Sequence, residues 1–277
     1  MDDPDRLRAR YGPWALVAGA SDGIGEAFAR QLAAAGINVA LLARRESMLR
    51  SLAAELELSE GIRTRCIVAD LTAESMLSQV QRETEDLEIG LLVYNAGATH
   101  GASGVLDQSL DQALGLVALN CRGPLGLAHM LGRRMRERGR GGIMLLSSLA
   151  ALSGGSLTAV YNATKSFDLV LAEGLWHELQ PAGIDAMCLV VGATRTPSML
   201  SSRPSFADYP DIMAPAQVAS EGLGFLGKGP VWVAGEHNRA IFRRMLPNSR
   251  VAQINALSAA SATIFGLPPA QIGGEDV

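Results

Sequence analysis

The chain is short of what membrane proteins, disulfide scaffolds and nucleic-acid binders need. It has three cysteines, Cys66, Cys121 and Cys188, too scattered for metal-ligand spacing. Two of them lie in apolar strand-like runs, so reduced thiols in the core of a cytoplasmic protein are expected. No apolar run approaches the ~18 residues of a membrane span, and the opening stretch MDDPDRLRAR has no hydrophobic segment of the signal-peptide kind. Charged residues make up only 19% and the net charge is −4, which gives no general attraction to nucleic acid. The one basic cluster, Arg133, Arg134, Arg136, Arg138 and Arg140, falls at the end of an expected helix, where cations suit the helix dipole. It reads as a solvated helix end.

What the chain does have is a hydrophobic fraction of 48% over 277 residues, enough for a large buried core. Short apolar runs at 14–18, 38–43, 65–69, 90–94, 142–146, 185–191 and 230–234 alternate with helix-like spacing. The helices are expected at about 26–35, 46–58, 106–137 and 157–180, with another up to Asp86. About seven strands separated by helices predict an α/β fold, a Rossmann-type doubly wound parallel sheet. No linker, composition shift or repeat divides the chain, so 1–277 reads as one domain. A substrate-covering segment is expected at about 197–215, rich in Met, Phe, Tyr and Pro, and a helical C-terminal extension at about 236–277.

The first strand runs into Gly19-Ala20-Ser21-Asp22-Gly23-Ile24-Gly25 and then a helix. That geometry aims backbone N–H groups and a helix N-terminus at a phosphate. The same turn satisfies G-x-S-x-G, which raises a serine hydrolase with Ser21 as nucleophile. Ser21 comes too early in the chain for a nucleophile elbow, and His100, His129, His177 and His237 have no supporting context. The second strand ends Ala43-Arg44-Arg45, with no acid to bond a ribose 2′-hydroxyl or repel a 2′-phosphate. Arg44 is placed to pair with such a phosphate, which predicts a preference for NADP(H) with NAD(H) possible. The missing acid also weakens an S-adenosylmethionine methyltransferase reading.

The fifth run ends at Ser147-Ser148, and Tyr161 and Lys165 follow four residues apart on one face of a helix. A free tyrosine titrates near pH ~10. A partly buried ammonium and a nicotinamide charge lower that value, and ~3 units corresponds to roughly 4 kcal/mol. A serine hydroxyl that holds a substrate oxygen while the phenol exchanges its proton is a layout for the partner step of hydride transfer. Pro124 removes a backbone donor and should distort the long helix near Asn120.

With these pieces in order, the sequence resembles the short-chain dehydrogenase/reductase family over almost its whole length. The resemblance implies a catalytic tetrad of Asn120, Ser148, Tyr161 and Lys165. Tyr161 is the implied acid-base, Ser148 orients the substrate oxygen, Lys165 binds the nicotinamide ribose, and Asn120 holds a relay water. It also implies cofactor contacts at Gly19, Ser21, Asp22, Gly23, Ile24 and Gly25, at Arg44, Asp70 and Leu71, at Asn95, Ala96 and Gly97, and at Thr194 and Thr196. The sequence departs from the family pattern at Ala18, at Tyr94 (where an Asn is usual) and at Val191. Within the family it looks most like NADP-dependent members that reduce ketones on fatty-acyl or steroid-like molecules. Homodimers or homotetramers built through the long helices around Ala118 and Val170 are implied too. The rival of another class is a non-catalytic, NADP-sensing module.

Overall fold

Strands that read as unbroken apolar runs need cover on both faces, and the fold supplies it. The computed structural model describes residues 4–98, 101–202, 211–245, 256, 259–260 and 262–264. Seven strands form one parallel sheet: β1 (Trp14–Ala18), β2 (Asn38–Ala43), β3 (Thr64–Val68), β4 (Ile89–Tyr94), β5 (Gly141–Ser148), β6 (Ile184–Val191) and β7 (Val231–Val233). Their order is β3-β2-β1-β4-β5-β6-β7. The chain direction of travel reverses between β1 and β4, and the carboxyl ends on either side of that point form the crevice where such sheets take ligands.

Helices α1 (Pro4–Tyr11), α2 (Gly23–Ala34), α3 (Glu46–Glu60) and α9 (Pro215–Phe225) contribute to one buried apolar layer. Helices α4 (Met76–Glu83), α6 (Gly123–Arg138) and α7 (Ala159–Leu179) contribute to the other. Two fully buried alternate sets, for example Ala15 and Val17 against Leu16 and Ala18, show how β1 feeds both layers. Shorter helices complete the chain: α5 (Leu110–Val117), α8 (Pro197–Ser202) and α10 (Glu236–Met245).

Several sequence expectations need correction. The helix expected over 106–137 is two helices, α5 and α6, joined by a five-residue π-turn at Ala118–Arg122. The helix expected to reach Asp86 stops at Glu83. Arg134 and Arg138 are not merely a solvated helix end. Arg134 donates to the carbonyls of Thr84 and Leu87, at 2.7 and 2.6 Å, and Arg138 to that of Ile89. They clamp the connection into β4, adding to the backbone bonds that the Thr84 and Leu87 carbonyls already accept from Leu87 and Ile89. The terminal helix begins at Glu236, where the extension was expected to start, and most of the expected 236–277 extension lies outside the described residues, as do His100 and 203–210 of the substrate-covering segment. Helix α1, which alternating charges concealed, buries Leu7 and Tyr11; the Tyr11 phenol donates to Asp185 at 2.8 Å.

Candidate active site

The glycine-rich turn is shaped by close approach. Gly19 has φ +82°, and a Cβ there would lie 2.8 Å from the backbone of Ala96. A Cβ on Gly25 would strike the Gly19 carbonyl. Asn95 Nδ2 donates to that same carbonyl at 3.1 Å, so the ends of β1 and β4 are tied together. Helix α2 starts at Gly23 with no side-chain cap from Asp22, which leaves the N–H groups of its first turn to a ligand. Asp22 is instead paired with Arg45 at 2.6 Å, and Arg45 also donates to Ser21 Oγ at 2.8 Å. Sequence reasoning pointed to Arg44; the neighbouring Arg45 is the guanidinium that lies over the turn. Arg44 is exposed, and its charge helps hold the Asp70 carboxyl below its ordinary range. The main cause there is the pair of hydrogen bonds from Thr72, whose backbone N–H and hydroxyl both reach Asp70 Oδ1.

Leu71 is buried in the apolar layer beside Ala69, while Ala96 and Gly97 continue past β4. A Cβ on Gly97 would come 3.3 Å from Lys165 Nζ and 3.6 Å from Asn120 Oδ1, so its absence keeps open the floor beside both. Thr194 is buried and donates to the Gly192 carbonyl at 3.2 Å. Thr196 packs its methyl against Gly23, and its hydroxyl accepts from Met199 N–H at the start of α8. The loop after β6 therefore meets the glycine-rich turn across the crevice.

The four residues expected to form the tetrad come from three elements that meet at the carboxyl end of β5. Ser147 donates to the Lys165 carbonyl at 2.7 Å, and Lys165 Nζ donates to the Leu146 carbonyl at 2.9 Å. These two bonds lock α7 to β5. Ser148, half-buried, accepts from Ala150 N–H and keeps its own hydroxyl proton. Tyr161 is half-buried one turn before Lys165, within electrostatic reach of its ammonium.

Asn120 sits in the π-turn and is fully buried. Its Nδ2 donates to the Ala98 carbonyl at 3.2 Å and to Thr164 Oγ1 at 3.0 Å, and its Oδ1 accepts from Ala98 N–H at 3.3 Å. Both amide protons are committed. The π-turn arises where Pro124 lacks the N–H that would bond the Leu119 carbonyl five residues back. The Tyr94 phenol donates to that carbonyl at 2.6 Å instead. Burial pushes the Tyr94 pKa far up, so it stays a donor. No local signal marked this partnership.

A nicotinamide dinucleotide fits these residues. The uncapped start of α2 suits a pyrophosphate, the paired arginines suit a further phosphate, and the open floor at Gly97 lies beside Lys165. The fold and the site together define a nicotinamide-dependent oxidoreductase. The chain belongs to the short-chain dehydrogenase family, whose model matches residues 13–205.

Among its relatives is the 7beta-hydroxysteroid dehydrogenase of Collinsella aerofaciens, 30% identical over 237 residues, 84% of this chain and 90% of that protein. The very-long-chain 3-oxoacyl-CoA reductase of Anas platyrhynchos is 32% identical over 228 residues, 78% of this chain and 72% of the relative. A solved short-chain dehydrogenase from Sphingobium yanoikuyae in complex with NADPH superposes with a TM-score of 0.77 at 30% identity, covering 84% of this chain and 92% of that one. The protein is thus an oxidoreductase acting on CH–OH groups, of the hydroxysteroid and ketoacyl reductase type.

Proposed function

We propose that the protein interconverts a secondary alcohol and a ketone on a rather apolar molecule, with NADP(H) as its preferred cofactor. The observation that supports this reading is the double lock of Ser147 and Leu146 on Lys165, which holds the helix bearing Tyr161 against the carboxyl end of β5. In the reductive direction Ser148 donates to the carbonyl oxygen and Tyr161 gives that oxygen its proton. The Lys165 ammonium stabilises the phenolate left behind. With the amide of Asn120 committed, the water-holding role expected of this residue falls to its backbone carbonyl. The nicotinamide, when bound, supplies or accepts the hydride.

The cofactor preference is supported by the two arginines after β2, by the lack of an acid there, and by the relative solved with NADPH. Gly19, Ser21, Asp22, Gly23, Ile24 and Gly25 would hold the pyrophosphate. Asp70 and Leu71 would line the adenine side, and Thr194 and Thr196 the carboxamide side. The apolar substrate class is supported by the hydroxysteroid and long-chain acyl relatives, and by Met199, Leu200 and Met213 around the crevice loops. Assembly through the long helices is supported by Leu110, Leu114, Val117, Leu125 and Val170, all exposed. The wider reading, of a reduced cytoplasmic setting, rests on three free cysteines.

The test is a fluorescence titration with NADPH and with NADH, followed by a panel of hydroxysteroids and long-chain ketones. NADPH binding at least tenfold tighter, ~1.4 kcal/mol, and turnover on a panel member are expected. Cofactor binding without turnover on any ketone would leave the sensing module as the better account.

A further inference from the structure

The mechanism leaves the buried carboxyl of Asp168 unused. Asp168 lies one turn beyond Lys165 on α7, and both are buried. Its Oδ2 accepts from Lys165 Nζ at 3.0 Å, while its Oδ1 has no hydrogen-bond partner among the described residues. The ammonium is held between this carboxylate and the Leu146 carbonyl, with a third N–H left for a ligand or for Tyr161. The groups facing Asp168 from the surrounding elements are Tyr94 on β4, Cys121 in the π-turn and Cys188 on β6. Burial pushes the Cys121 and Cys188 thiols and the Tyr94 phenol up, so near neutral pH Lys165 and Asp168 are the charges in this pocket.

We propose that Asp168 is a positioning residue, a buried counter-ion that fixes Lys165 against the end of β5 and tempers the pull of its ammonium on the Tyr161 phenol. The inference rests on the roles given above to Tyr161 and Lys165. Its physics is that of a charge pair seen from one side. Tyr161 precedes Lys165 by four residues and Asp168 by seven, so along the helix the phenol is nearer the ammonium than the carboxylate. The carboxylate then subtracts from, without cancelling, the field that favours phenolate.

Burial also raises the Asp168 carboxyl to about 6, against the opposing attraction of Lys165. Below that pH the carboxyl becomes neutral, and the ammonium acts on Tyr161 unopposed.

The experiment is an ultraviolet titration of the Tyr161 phenol, read as the difference between each protein and its own Tyr161→Phe variant. It needs no turnover. In Asp168→Asn the Tyr161 titration should move to lower pH by about one unit or more, and Asp168→Glu, which keeps a carboxylate, should stay with the parent. A titration in Asp168→Asn that superimposes on the parent, or moves to higher pH, overturns the proposal. If Asp168→Asn does not fold by circular dichroism, Asp168→Ser, uncharged and smaller, carries the same reading. A parent protein with no turnover on any ketone would overturn the proposed reaction while leaving this titration to stand or fall by itself.

Discussion

The Ser147 hydroxyl donates to the Lys165 carbonyl at 2.7 Å in a fully buried setting. The residue before the expected substrate-binding serine thus holds the helix that carries the tyrosine and the lysine. A side chain outside the proposed chemistry ties the helix of Tyr161 and Lys165 to β5. Ser147→Ala should leave the Lys165 carbonyl short of a partner and cost about 1–3 kcal/mol of stability. A urea melt checks this; an unchanged midpoint would show that the lock is not needed.

Tyr161→Phe removes the only group positioned to exchange the substrate's proton in the proposed mechanism. Turnover should fall by at least about a hundredfold, while the NADPH dissociation constant stays within a few-fold of the parent. Steady-state rates and a fluorescence titration on the same preparation separate the two. Turnover equal to the parent would remove Tyr161 from the mechanism.

Arg44→Ala and Arg45→Ala address the cofactor. Each should weaken NADPH by about tenfold, ~1.4 kcal/mol, and change NADH far less. Arg45 must exchange its bonds to Asp22 and Ser21 for any phosphate, so Asp22→Asn should in turn tighten NADPH. Equal losses for the two cofactors would mean that these arginines support the turn rather than read a 2′-phosphate.

The stability of the fold should carry the signature of Asp168. Its carboxyl is raised from the ordinary 3.8 to about 6 by burial, so the folded chain holds a proton in that interval that the unfolded chain has released. Such a group favours folding below the unfolded value and loses that contribution as pH rises through the folded one. The stability difference between the parent and Asp168→Asn should therefore fall from pH 3.8 to about 6 and be flat outside that window. Denaturant melts at a series of pH values give the curve; a difference independent of pH would refute the raised carboxyl.

The exposed apolar residues of α5, α6 and α7 give a prediction about assembly. Leu114 and Val170 are 54% and 64% exposed on helices that pack together. Leu114→Arg with Val170→Glu should turn a dimer or tetramer into a monomer, read by light scattering. A parent protein already monomeric would dismiss the expectation.

The strands were legible because apolar runs bounded by glycine and charge leave little choice. β1 and β2 begin and end at the residues read from the sequence. The distortion around Asn120 was legible too, since a proline inside a helix must free a carbonyl. Partners distant in sequence were not. Arg134 reaches back 50 residues to Thr84, and a run of arginines looks the same whether it meets water or a carbonyl. Asp168 was missed for a related reason. A charged residue three after a lysine reads as an ordinary surface pair, and only the tertiary structure shows that it is buried.

The phenol of Tyr94 has a consequence for anyone who re-engineers the protein. It fills the space that a side chain on Gly123 would occupy, and it serves the carbonyl that Pro124 cannot. Tyr94, Gly123 and Pro124 behave as one word rather than three letters. A library that varies them singly would sample mostly misspellings: a smaller residue for Tyr94 opens a hole, a larger one for Gly123 collides, and a non-proline at 124 brings back a donor to compete with the phenol. Variation of all three together is the route by which the helix that bears Asn120 could be redrawn.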